Sequence, residues 1–209
     1  MNVKKILNTI ITVILFFVCS LNVYASGKAQ NKEFMDNHSE MLKSIKEHSE
    51  DIQKKGNVEK DFIEEIIYLN AIQKYMAENI IKFSDDENVR RTSKKLIKGS
   101  MECNNELEES RVYVNKKDST SKSNEDEYIE KYKRIYNKMI LSLECRHEDE
   151  NIEKIFLRSS IKQHEVLIEV TELFDRYNED ERIKKVSSDM RDRSLEELKK
   201  LKKAFKKSS

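Results

Sequence analysis

No proline occurs anywhere in the 209 residues, and glycine appears only at Gly27, Gly56 and Gly99. These are the residues that break helices and form tight turns, so their scarcity constrains the fold more than anything else in the chain. A glycine-rich nucleotide loop of an open α/β fold lacks its material. Sandwiches and barrels need turn residues roughly every ten positions, and Pro/Gly-rich or collagen-like chains need what is missing here. With 37% hydrophobic and 38% charged residues, the composition that survives is an all-α protein with polar outer faces.

Residues 1–25 read as a signal peptide. Lys4 and Lys5 give a basic start, residues 6–18 are mostly apolar, and Val23 and Ala25 stand at the −3 and −1 positions before Ser26, the three-part pattern that a signal peptidase removes. The competing reading is an uncleaved anchor, since the apolar stretch runs nearly to Tyr24 and about 20 residues span a bilayer. Cys19 is a poor lipoprotein site because Val18 precedes it. The processed chain is expected to be secreted or associated with the cell envelope, with no membrane span.

Loss of two lysines with the leader turns a net charge of +1 into −1. Nucleic acid is then an unsuitable partner, because binding it needs a clustered basic excess. The local run Lys199–Lys207 either touches an anionic surface or complements the negative end of a helix dipole, the simpler reading. Cys103 and Cys145 remain. On adjacent antiparallel helices they are offset by about 10 Å along the axis, beyond the roughly 7 Å reach of a disulfide. Two free thiols packing as small apolar residues are expected.

Helical spacing runs almost unbroken from Asn31 onward. Phe34, His38, Met41, Ile45, His48 and Ile52 form a first stripe, ended by Gly56-Asn57. Phe62, Ile66, Leu69, Gln73, Met76, Ile80 and Phe83 form a second. Ser84 with Glu87 predicts a capping box for a third helix lined by the small face Val89, Ser93, Leu96, Ser100, Cys103 and Leu107. A polar linker follows, and Asn124 with Glu127 starts a fourth helix carrying Tyr128, Tyr132, Ile135, Met139 and Leu143. After a break near His147–Glu150 comes a fifth, striped by Ile152, Phe156, Ser159, Gln163, Val166, Val170, Leu173 and Tyr177. Asn178 with Glu181 opens a sixth containing Ile183, Val186, Met190, Leu198, Leu201 and Phe205.

These helices read as two copies of three. Displacing the sequence so that Asp86-Glu87-Asn88-Val89 falls on Asp180-Glu181-Arg182-Ile183 also aligns Ser93 with Ser187, Leu96 with Met190, Ser100 with Ser194, Phe62-Ile63 with Phe156-Leu157 and Phe34 with Tyr128, without a gap. The expected organisation is a first repeat over 26–116, a linker over 117–124 and a second repeat over 125–209, each burying its apolar stripe against the other.

Each copy resembles an exported ferritin-like domain family of unknown function with the signature Phe-Leu-x-x-Met-Ile-x-His-His, then Met-Ala, then Gln-x-x-Glu-Ile-x-x-Met. Phe62-Ile63-Glu64-Glu65-Ile66-Ile67-Tyr68-Leu69-Asn70 keeps the apolar frame, and Met76-Ala77 stands at the Met-Ala step. Phe156-Leu157-Arg158-Ser159-Ser160-Ile161-Lys162-Gln163-His164 keeps the frame and one histidine. Ser194, Glu197, Leu198 and Leu201 follow the closing pattern. The resemblance implies a ferritin-like helical bundle built from two tandem three-helix repeats. Some members of the family bind copper in the periplasm. Here Leu69, Asn70 and Gln163 replace three of the four paired histidines and only His164 is retained.

The chemistry-bearing residues are few. A carboxylate di-iron site needs two Glu-x-x-His motifs, and only Glu144-Cys145-Arg146-His147 has that spacing. Met35, His38 and Met41 recur at steps of three, and imidazole with thioether suits copper, held loosely from one exposed helix face with His164 approaching from the second copy. Alternatively these side chains fill a buried seam. Gln73 and Gln163 lie in apolar stripes, where they either bond across helices or sit at a solvated margin. Tyr128, Tyr132 and Tyr136 read as core. No nucleophile–base arrangement or phosphate loop is present. Two functions remain: a non-enzymatic exported bundle, with no cofactor, that binds a protein or cell-envelope component, or an exported copper-binding protein using Met35, His38, Met41 and His164.

Overall fold

The computed structural model describes residues 30–116, 125–144 and 151–208, and every regular element among them is a helix. α1 covers 30–50, α2 Val58–Phe83, α3 Glu87–Asn115, α4 Glu125–Glu144, α5 Ile152–Tyr177 and α6 Glu181–Lys207. The leader with Cys19, the Asn124 cap, Cys145, His147 and the break beside it lie outside the described residues. Cys103 is a free, buried thiol, as expected. No helix among the described residues is long and apolar enough to cross a membrane.

The helix starts show where local chemistry overrides the spacing. Asp86, not Ser84, caps α3, its carboxylate accepting from the Asn88 and Val89 amides. Asp180, not Asn178, caps α6 in the same way. A carboxylate at this position satisfies two orphan amides and faces the positive end of the helix dipole. Ser84 and Asn178 instead brace the turn before the cap, accepting from the backbone amides of Asp86 and Asp180 respectively. α1 stops at residue 50, earlier than its apolar stripe predicts. Gly56 (φ 103°) belongs to the next start: it turns the chain so that Asn57 caps α2 through the Lys60 amide. Asn151 caps α5 equivalently through Lys154.

Side-chain pairs fix the packing as antiparallel throughout. Asn37 bonds Asn79 and His48 bonds Glu65 between α1 and α2, while Arg111 meets Glu64 and Asn70 bonds Asn104 between α2 and α3. Asp175 pairs with Arg191 and Glu165 with Lys202 between α5 and α6. At the centre α2 lies against α5. There the rings of Phe62 and Phe174, both fully buried, stack at 3.9 Å. Gln73 Nε2 donates to Ser160 Oγ at 3.3 Å, and Gln163 Nε2 donates to the Leu69 carbonyl. Gln73 and Gln163 therefore bond across helices; neither lies at a solvated margin. α1 and α4 cover one side of this central pair and α3 and α6 the other.

Candidate functional site

α3 and α6 do not close over the central pair along their whole length. They are tied where Arg193 forms a two-pronged pair with Glu106, and where Tyr113 donates to Asp180 at 3.1 Å beneath the Arg182 guanidinium. Beside the Arg193 tie they part around a cleft of about 400 Å³, and Arg193 itself contributes to its lining. Asn70, Gln73, His164 and Leu167 of α2 and α5 form its floor, and Leu96, Gly99, Ser100, Cys103, Met190 and Ser194 line its walls. Lys95, Lys98, Lys200, Glu102, Glu196 and Glu197 surround it with both signs of charge.

Two features of this cleft bear on what it can receive. His164 is only 7% exposed, yet neither ring nitrogen has a hydrogen-bond partner in the protein. Burial disfavours the imidazolium and pushes its pKa down to about 4, against a small opposing pull from Glu197. At neutral pH it is an uncharged ring offering one donor and one acceptor. Gln73 Oε1 is likewise buried and unbonded. Leaving such groups unpaired costs about 1–3 kcal/mol each. Cys103 is held as a thiol by burial, which raises its pKa against the Asn70 hydrogen bond. The second feature is Gly99, inside α3, where glycine is less favourable than alanine by about 1 kcal/mol. A β-carbon built there meets no atom within 4 Å, so packing does not require the glycine.

The copper candidates are divided between two places. Phe34, His38, Met41, Met76, Asn79 and Phe156 surround a cavity of about 10 Å³, no larger than a water. His38 and Met41 are buried, so they do not form an exposed helix face, and Met35 is half-buried against the core. His164 belongs to the α3/α6 cleft, which shares no lining residue with that cavity. Asn70 and Gln163 are engaged in internal hydrogen bonds. Among the described residues no group of three or more His, Cys, Asp or Glu side chains is placed to hold a metal ion.

No family model, curated protein or solved structure matches this chain.

A second polar group is buried between α1, α2 and α4. Asp61, Glu65 and Glu125 are each no more than 5% exposed. Asp61 accepts from the Lys55 amide at 2.7 Å, Glu125 from the Gly56 amide at 2.8 Å, and Glu65 faces His48 Nε2 at 2.8 Å. Burial raises the Asp61 pKa to about 7 against the Lys55 bond, and the neighbouring Glu125 and Glu65 push the same way. Sequence reasoning missed these carboxylates, although Asp61 and Glu65 flank the apolar stripe residues Phe62 and Ile66. It also missed Gly99, whose signal is a lone glycine in an otherwise strong helix.

Proposed function

We propose that this chain is an exported, non-enzymatic binding protein, and that the α3/α6 cleft receives a group from a protein or cell-envelope partner. The observation that carries the reading is His164, buried with both nitrogens unbonded in the floor of an open cleft. A neutral imidazole beside the unbonded Gln73 oxygen suits a group carrying both a donor and an acceptor, such as an amide or hydroxyl. Gly99 supports the same reading by keeping the wall free of side chain. The architecture is best understood as two tandem three-helix repeats in a ferritin-like bundle: α2 and α5 are both 26 residues with Asn caps, α3 and α6 both start after an Asp, and Gln163 bonds the carbonyl of Leu69, its counterpart 94 positions earlier.

The test is a photo-reactive benzophenone side chain at Lys95 on the cleft rim, with one at Lys138 of α4 as control, in cells producing the protein. A discrete adduct from Lys95 alone is the expected result. Equal adducts from both positions, or none from Lys95, would remove the cleft from the account.

Copper remains the second reading, because His164, Cys103 and Met190 line one cleft and imidazole, thiol and thioether suit Cu(I). Calorimetry with Cu(I) and Cu(II) is expected to give micromolar or weaker affinity, no more than about 8 kcal/mol. A stoichiometric nanomolar site lost in His164→Ala would favour copper instead.

A further inference from the structure

Two segments of the chain carry charge of one sign only. Residues 90–98 of α3 hold five cations and residues 198–207 of α6 hold six, with no acidic residue in either. The segments are far apart in sequence and are joined only by the fold. The Arg193–Glu106 and Tyr113–Asp180 ties set α3 and α6 antiparallel, a register that brings the first half of α3 beside the last half of α6. Lys95 and Lys98 of one helix and Lys200 of the other stand at the same cleft. A chain with a net charge of only +1 thus gathers eleven cations at one end of one helix pair.

Part of this charge has an ordinary structural role. Arg90 donates to the Ile81 and Ser84 carbonyls and so closes the end of α2. Lys98 pairs with Glu102, Lys200 with Glu196 and Glu197, and Lys202 with Glu165. Lys206 and Lys207 lie in the last turn of α6, where the helix dipole favours a cation. Arg91, Lys94, Lys95 and Lys203 have no such role. Each is exposed, and none has an ion pair among the described residues.

Helix stability does not explain these four. α3 carries Arg91, Lys94 and Lys95 in its first half and Glu106, Glu108 and Glu109 in its second, the reverse of the order the dipole favours. Arg91 stands one turn before Lys94 and Lys95, and Lys203 one turn before Lys206 and Lys207, spacings at which like charges repel. Elsewhere the chain fills such spacings with opposite charges, as in Lys43 with Glu47, Lys74 with Glu78 and Glu127 with Lys131. Repulsion kept on two neighbouring helices is relieved when an anion lies along both.

We propose that this end of the α3/α6 pair holds a strand of a phosphodiester polymer, a polyol phosphate of the cell envelope, laid along the seam between the two helices. The cations stand on both sides of a seam and so follow a strand rather than a plane. None of the exposed large apolar side chains, Tyr75, Met101, Val112, Leu141 and Leu195, falls in either segment to enter a bilayer. The unpaired cations are lysines with a single arginine, compact charges that suit phosphate, whereas carboxylate recognition favours the two-pronged arginine. The choice of a cell-envelope polymer rests on the function proposed above; the phosphodiester chemistry rests on the charges alone.

The test is fluorescence anisotropy of a labelled glycerol-phosphate oligomer titrated with the purified protein. Binding is expected at about 50 mM salt and is weakened by about tenfold or more at about 200 mM, because the cations displace counterions. Arg91→Glu combined with Lys203→Glu is expected to weaken binding by about tenfold or more. That variant should melt no lower than the parent, since each new glutamate gains cations one turn away. Arg134→Glu combined with Lys138→Glu makes the same change of charge on α4 and should leave the affinity within about twofold, its sites being screened from the seam. No binding by the parent, or equal weakening by the two pairs of substitutions, would overturn the proposal. So would tighter binding to phosphatidylglycerol vesicles, which would make the surface a membrane-docking face, or to single-stranded DNA with the same number of phosphates, which would make it a nucleic-acid site. Oligomer binding that persists where the Lys95 photo-adduct is absent would remove the cleft reading and support this one.

Discussion

Residues 26–116 alone are expected to lose most of their cooperative unfolding. α2 gives up α5 in that fragment, and with it the most enclosed contacts of the molecule. Phe62 loses the Phe174 ring, the Leu69 carbonyl loses Gln163, and Gln73 loses Ser160. Phe62, Ile66 and Leu69, all completely buried in the whole chain, lie on one stripe of α2. Each is worth about 1.5–3 kcal/mol of burial, and a domain of this size has only about 5–15 kcal/mol of net stability. α1 also loses the α4 side chains that cover its far face, among them Tyr136 against His48. Urea unfolding followed by circular dichroism is the measurement. A fragment that unfolds as cooperatively and at as high a urea concentration as the whole would show residues 26–116 to be a separate domain.

Asp61→Asn is expected to stabilise the protein above pH 7 and to leave the opposite pH dependence of His164 uncompensated below. The folded pKa of Asp61, about 7, lies above the ordinary carboxylate value, so the folded state holds a proton that the unfolded chain releases. Its contribution is complete below about pH 4, declines between about pH 4 and 7, and is flat above, with an upper limit on the order of 4 kcal/mol. His164 acts in the opposite direction. Its folded pKa of about 4 lies below the ordinary imidazole value, so its contribution is complete above about pH 6.5 and is lost as pH falls through 4. The two slopes offset each other in the parent over the shared window. Asp61→Asn removes one of them, and its stability relative to the parent should rise steadily from about pH 4 to 7. His164→Gln should show the reverse, falling relative to the parent as pH rises from about 4 to 6.5. Urea melts across this range decide it, and curves parallel to the parent at every pH would contradict the assignment.

The fold was legible because its determinants are local. Apolar residues at steps of three and four placed five of the helices to within a few residues, and the absence of proline left nothing to interrupt them. The caps were misread because Ser84 with Glu87 and Asn178 with Glu181 match the capping-box spacing, whereas the true caps Asp86 and Asp180 are followed three residues on by Val89 and Ile183. The early end of α1 was hidden because Ile52 is buried from the loop, continuing the stripe beyond the helix. The cleft was not legible at all. It exists because α3 and α6 separate near Gly99 and His164, and a gap between two helices leaves no periodic trace in either. That His38 and Met41 line one cavity and His164 another has a related reason. Helical spacing predicts which residues share a face, but not which faces converge.

The most direct test of the cleft fills it. Gly99→Trp places an indole where a β-carbon meets no atom within 4 Å, and the cleft is large enough to take it. Replacing glycine inside a helix also favours folding by a few tenths to 1 kcal/mol, so the variant should melt no lower than the parent. With the photo-reactive side chain at Lys95, the parent should give a discrete adduct and Gly99→Trp should give none. An adduct of the same mass and yield in Gly99→Trp would mean that the partner binds elsewhere and that the cleft is not the site.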